Sequence, residues 1–297
     1  MSLQGTYQNY HLIADYHALT TNPDSRELYL HSVEMLLDWL AAGIDPQASP
    51  MFRQSRVKEH SELHLLLSML ITTARLERNP SLKEQVRDLD MAAITYGHLG
   101  YPVLQAADIL LYKGDLVPVG EDQLPHIEIT REVARRFNAQ YGAVFPEPEG
   151  KLTKFPRLVG LDGRRMSKSI GNTILLSDAP AEIDKKMRTA VTDPLKVRRN
   201  DPGRPDICLV FAYHSKFNPL ELGEIRSGCE SGALGCVDCK KRCAQRVAEA
   251  TAPLRERRAH YEARMDDVKA ILDDGERRAR AVAQTTMNEV HEVMALG

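Results

Sequence analysis

Three stretches of this 297-residue chain carry residue types that could do chemistry. In LDGRRMSKSIGN, the run Arg165, Met166, Ser167, Lys168, Ser169 puts a lysine and two hydroxyls on a polar, glycine-flanked loop. Such a loop can neutralise charge that develops on phosphate oxygens as a bond to phosphorus breaks. Taken alone, the same pentapeptide also fits a solvated basic loop. In GYPVLQAADILLYKG, Tyr101, Gln105 and Asp108 stand at i, i+4 and i+7 and share one helical face. An acid inside that apolar run needs a donor, either a structural partner or a ligand. The third stretch is Cys208-x20-Cys229-x6-Cys236-x2-Cys239, with Cys243 four residues further on. No cysteine lies elsewhere, and such clustering reads as a metal or cluster site more readily than as disulfides. Four thiolates suit an iron-sulfur cluster and tetrahedral zinc alike.

The elements that must position these residues alternate. Residues 10–14 are short and apolar and are followed at once by Asp15, Tyr16 and His17, as in a buried parallel strand that delivers polar groups at its C-terminal end. Leu30, Val33, Leu36, Leu37 and Leu40 repeat at helical spacing, with Asp24 available as a cap and Gly43 at the end. A second strand is predicted over 51–54 and a buried helix over 61–75. The segment 116–119 reads as another strand, Gly120 as a turn, and Glu121 as the start of a long helix with Pro125 in its permissive first turn. A strand, a glycine and a helix N-terminus in that order suit an anion or ligand site at the edge of a parallel sheet. From Asp178 onward only helices are predicted, over 181–190, 240–261 and 265–295. The expected fold is therefore α/β, a Rossmann-like parallel sheet over 1–177, followed by an all-α domain over 178–297.

Composition narrows the classes further. With 39 basic against 41 acidic residues, any nucleic-acid surface must be a local patch, such as Lys240, Lys241 and Arg242 beside the cysteines. No apolar run reaches the ~18 residues needed to cross a bilayer, and the N-terminus lacks the form of a secretory signal. A cytoplasmic protein without a membrane partner is expected.

Several segments together carry a family resemblance. IADYHALT at 13–20, LERNPSLKEQ at 76–85, GYPVLQAADILLY at 100–112, PVGEDQLPHIEITREVARRFN at 118–138 and the RMSKS loop at 165–169 resemble tryptophanyl-tRNA synthetases of class I, in that family's order. The closing run AILDDGERRARAVAQTT resembles its last helices. Tyrosyl-tRNA synthetase is the neighbouring family, but GEDQ and ADYHALT are the tryptophan enzyme's version.

The resemblance implies ATP-dependent activation of tryptophan and its transfer to tRNA(Trp), by a homodimer with Mg2+. It implies that Asp108 accepts the indole N–H, with Tyr101, Gln105, Val119 and Gln123 around the same pocket. It places Gly120, Glu121 and Asp122 at the ATP ribose and backbone, and Leu158 at adenine. Arg165, Met166, Ser167, Lys168 and Ser169 would meet the phosphates, with Lys168, Ser167 and Ser169 acting in catalysis. The cysteine spacing resembles a subgroup that carries a 4Fe-4S cluster on Cys208, Cys229, Cys236 and Cys239, with zinc as the alternative. One departure stands out. The family's first strand and its HIGH-like motif are not in the chain, so an inactive homologue with a tRNA-binding or regulatory role is the alternative. A sheet without that strand would leave backbone groups unpaired, so rearranged backbone around 10–20, or cover from a neighbouring subunit, is expected.

Overall fold

A computed structural model of the chain describes residues 3–22, 24–88, 91, 93–152, 158–164, 166 and 170–296. The chain forms two compact units, one of residues 1–156 together with 261–297, the other of residues 157–260.

In the first unit, β1 (His11–Ile13) is followed by α1 (Asp15–Thr21) and α2 (Leu28–Ala42). The helix α2 buries Val33, Leu36, Leu37 and Leu40 of the apolar stripe, leaves Leu30 exposed, and ends on Gly43 at φ 92°. Asp24 does not cap it. Its carboxylate instead accepts hydrogen bonds from the nearby Arg26. Next come β2 (Met51–Arg53), a 3-10 turn over Gln54–Arg56 and α3 (Glu59–Ser68). The single helix predicted over 61–75 is broken, because Thr72 in extended conformation accepts a bond from the Arg75 N–H and starts α4 (Thr73–Glu77) afresh. Beyond α5 (Pro80–Asp88) lies α6 (Tyr96–Leu110), followed by β3 (Leu116–Pro118), a 3-10 turn over Glu121–Gln123, α7 (Leu124–Gln140) and β4 (Glu149–Lys151).

The strands pair in parallel, β1 with β2 (His11 opposite Met51) and β3 with β4 (Leu116 opposite Glu149), as two separate two-stranded sheets. Each of β1 and β3 is thus paired on one edge only among the described residues. Both contribute to the wall of one cavity of about 840 Å³. Residues 11–13 form β1 and residues 15–21 form α1, with one edge of β1 unpaired among the described residues. The parallel α/β class stands, in shorter pieces than expected.

The second unit holds α8 (Pro180–Thr189), α9 (Leu209–Phe217), α10 (Leu222–Glu230) and α11 (Cys236–Glu262), around a core of Ile183, Met187, Tyr213, Cys243 and Val247. The last helix, α12 (Met265–Met294), departs from the expected 178–297 domain, because it belongs to the first unit. The reason is its apolar stripe: Val268, Leu272, Ala279, Ala283, Met287 and Val290 are all buried in the first unit's cores. At the crossing with β2, a Cβ on Gly275 would stand 2.0 Å from the Met51 carbonyl oxygen. The neighbouring Glu276 is 3% exposed and pairs with Arg53 at 2.6 Å and Arg56 at 3.3 Å.

Because the obstacle at Gly275 is backbone rather than a flexible side chain, Gly275→Ala is expected to lower stability by about 1–3 kcal/mol or more. Denaturant unfolding should show the midpoint move with the slope unchanged.

Candidate functional site

The site lies where β1 and β2 end. Asp15, the first residue of α1, turns its carboxylate back onto the turn after β2, accepting the backbone N–H of Ser55 at 2.8 Å and the Ser55 hydroxyl. That tie brings His17, after β1, and Gln54, after β2, to the same point. The face of α6 that carries Tyr101, Gln105 and Asp108 lines the cavity beside them.

Asp108 is the most constrained group of the site. Its Oδ1 accepts from His60 Nδ1 at 2.7 Å and from the Gln54 amide at 2.7 Å, and its Oδ2 from His17 Nε2 at 2.9 Å and the same amide at 2.9 Å. An ionised carboxylate only accepts, so both imidazoles donate. His60 then has its Nε2 free to accept the Tyr112 hydroxyl, 2.9 Å away. Gln54 is oriented from its other end, where Oε1 accepts the Tyr16 N–H at 3.2 Å. Burial by itself would push the Asp108 carboxyl up, but the hydrogen bonds from His17 and His60 outweigh it and hold it below the ordinary carboxylate value. Behind the network, Tyr10 stacks on Tyr112 at 4.6 Å and Phe52 packs against the same ring.

Tyr101 forms a second network on the same helix. Its hydroxyl lies 2.7 Å from His126 Nε2, and the Asn79 amide lies 2.9 Å from His126 Nδ1. The amide donates to Nδ1, so a neutral His126 donates from Nε2 and leaves the Tyr101 hydrogen available to the cavity. Burial holds His126 down at about 4 and raises Tyr101 well above a free phenol.

The other residues singled out by sequence divide by position. Gln105 and Gln123 line the cavity with Tyr101 and Asp108. Val119 packs toward Gly150, and the cavity is lined from β3 by Leu116, Val117 and Pro118. At Gly120 the backbone is extended, and an added Cβ would stand 2.7 Å from an Asp122 carboxylate oxygen, so the glycine makes room for that acid. Glu121 and Asp122 are exposed. In the second unit, Leu158 and Met166 pack against the core, whereas Arg165, Ser167, Lys168 and Ser169 lie outside the described residues. His17, Gln54 and His60 were not singled out. A signal existed for the first two, as polar residues closing apolar strands, and none for His60, whose place depends on how α3 packs.

Cys208, Cys229, Cys236 and Cys239 line one small cavity with Val210, Leu234 and Lys196. All five cysteines are free thiols, and Cys243 is fully buried in the core of its unit rather than in that wall. Burial, followed by the neighbouring sulfurs, pushes the Cys239 thiol up to about 12, and burial likewise raises Cys229. Uncompensated thiolates would therefore be costly here, while a bound cation would remove that cost. Gly203 approaches so closely that a Cβ would stand 2.6 Å from Cys229 Sγ. Among the described residues, no three His, Cys, Asp or Glu donors are grouped to hold a single metal ion.

Comparison with known proteins bears on the whole chain. The family model described as tRNA synthetases class I (W and Y) matches residues 1–252. A tryptophan–tRNA ligase of Thermotoga maritima is 46% identical over 97% of this chain and 89% of its own length. One of Aquifex aeolicus is 40% identical over 100% and 93%. Among solved structures, a tryptophanyl-tRNA synthetase of Campylobacter jejuni complexed with ADP and tryptophan superposes with a TM-score of 0.86 at 33% identity, covering 99% of this chain and 92% of that one.

His126 must be neutral in the folded state, with its folded value depressed from 6.5 to about 4. Its contribution is complete above pH 6.5 and is lost as pH falls toward 4, on the order of 3 kcal/mol in all. The stability gap between the parent and His126→Asn should shrink over that window in urea titrations. A gap independent of pH would contradict the assignment.

Proposed function

This chain belongs to the class I tryptophanyl-tRNA synthetases, enzymes that join tryptophan to tRNA(Trp) at the expense of ATP, and we propose that the cavity beside Asp108 is its tryptophan site. The observation that carries this reading is a buried, ionised carboxylate at the wall of a roomy cavity. The indole N–H only donates, so a fixed acceptor selects it over side chains that lack a donor. Tyr101, Gln105 and Gln123 surround the same space, and the Tyr101 hydrogen offers a further polar contact. ATP with Mg2+ is read against Gly120, Glu121 and Asp122 at the N-terminus of α7, with the 165–169 loop supplying Lys168 and hydroxyls to the departing pyrophosphate. Binding of tRNA(Trp) by the helices of the second unit, and a homodimeric assembly, complete the reading.

Tryptophan-dependent exchange of pyrophosphate into ATP tests it, and a background rate would reject adenylation by this chain. Asp108→Ala should weaken tryptophan binding by about 1–3 kcal/mol, measured by calorimetry. Unchanged binding would reject the pocket.

For the cysteine site we infer a 4Fe-4S cluster on Cys208, Cys229, Cys236 and Cys239, with zinc as the alternative. An all-thiolate donor set around one cavity fits a cluster. Bound there, a cluster would tie α9, α10 and α11 together, next to Lys240, Lys241 and Arg242. Anaerobically purified protein should absorb broadly near the violet and lose that absorbance in Cys236→Ser. A colourless protein that releases zinc on thiol modification would decide for the alternative.

A further inference from the structure

The three donors on Asp108 are not equivalent. Gln54 and His60 are fully buried, and each is held from its far side, Gln54 by the Tyr16 N–H and His60 by the Tyr112 hydroxyl. His17 is different. Its side chain is 19% exposed and lines the cavity, and among the described residues its ring makes no other hydrogen bond. It stands on α1, a helix of two turns whose N-terminus has no side-chain cap.

A carboxylate has about four acceptor positions, and here Oδ1 and Oδ2 have two partners each. A ligand donor in the cavity can therefore reach Asp108 only by taking a place that is already filled. The place on the cavity side is that of His17 at Oδ2.

We propose that His17 is a specificity-determining residue, an internal donor that occupies the cavity-facing oxygen of Asp108 and is exchanged for the indole N–H when tryptophan binds. This rests on the reading of Asp108 as the indole acceptor. A ligand of the same shape without the N–H would leave the His17 bond intact, while tryptophan would trade one charge-assisted bond for another. His17 thus sets how much of the Asp108 interaction appears as discrimination. It also keeps the buried carboxylate satisfied while the cavity is empty, which avoids the penalty of an unpaired buried charge.

The test compares tryptophan with its analogue in which sulfur replaces the indole N–H, by calorimetry on the full chain. The quantity is the ratio of the two dissociation constants. In His17→Ala only water competes for the place that His17 held on Oδ2, so the ratio in favour of tryptophan should widen, by about three- to tenfold for one hydrogen bond. His17→Gln, which restores a donor of similar reach, should bring the ratio back toward the parent value. A ratio unchanged in His17→Ala overturns the proposal, as does an equal loss of affinity for both ligands, which a purely structural His17 would give. Asp108→Asn separates the two readings. If the parent discriminates little and Asp108→Asn leaves the ratio as it was, the acceptor assignment itself fails. If Asp108→Asn collapses the ratio while His17→Ala leaves it unmoved, only the exchange role fails.

Discussion

The fold of the first unit is organised around one buried negative charge. Taking a carboxylate out of water costs several kcal/mol unless it is fully hydrogen-bonded, so the chain must bring enough donors to Asp108. It does so from three elements that lie 48 to 91 residues from it in sequence: α1 supplies His17, the turn after β2 supplies Gln54, and α3 supplies His60. None of the three could reach Asp108 if β1 and β2 did not run parallel and end at the same level. The pairing of His11 with Met51 and the Asp15–Ser55 tie fix that level.

The rest of the unit can be understood as support for that arrangement. On the far side of β2, α12 packs so closely that only glycine fits at position 275, and Glu276 binds Arg53 at the end of β2 and Arg56 in the turn that contains Gln54. A residue near the C-terminus thus holds the backbone that aims a donor at Asp108. Within the site, Tyr112 links the polar network to the aromatic layer, donating to His60 on one side and stacking on Tyr10 on the other. The cysteine unit follows a different logic. Its core is apolar, and burial opposes the ionisation of Cys239 and Cys229, two of the four cysteines that line its small cavity.

Much of this was legible in the sequence. The strand over 10–14 is a short apolar run closed by polar residues, and the stripe of α2 and the shared face of Tyr101, Gln105 and Asp108 follow the 3.6-residue period that local sequence imposes. The helix boundary at 72 was missed because a single N-cap threonine outweighed a continuous apolar pattern. The strand β4 was missed because Glu149–Lys151 carries no strand signal and exists only as the partner of β3.

The sequence by itself determined the residue types of the site, the family and the parallel α/β character, because these follow from local spacing and from motifs that stay together in order. Only the tertiary structure decided that α12 belongs with the first unit, that Cys243 is a core residue while four other cysteines share a cavity, and that Asp108 already has its donors. Each of these depends on contacts between segments distant in sequence, where packing and the need to satisfy buried polar groups, rather than local propensity, select the partner.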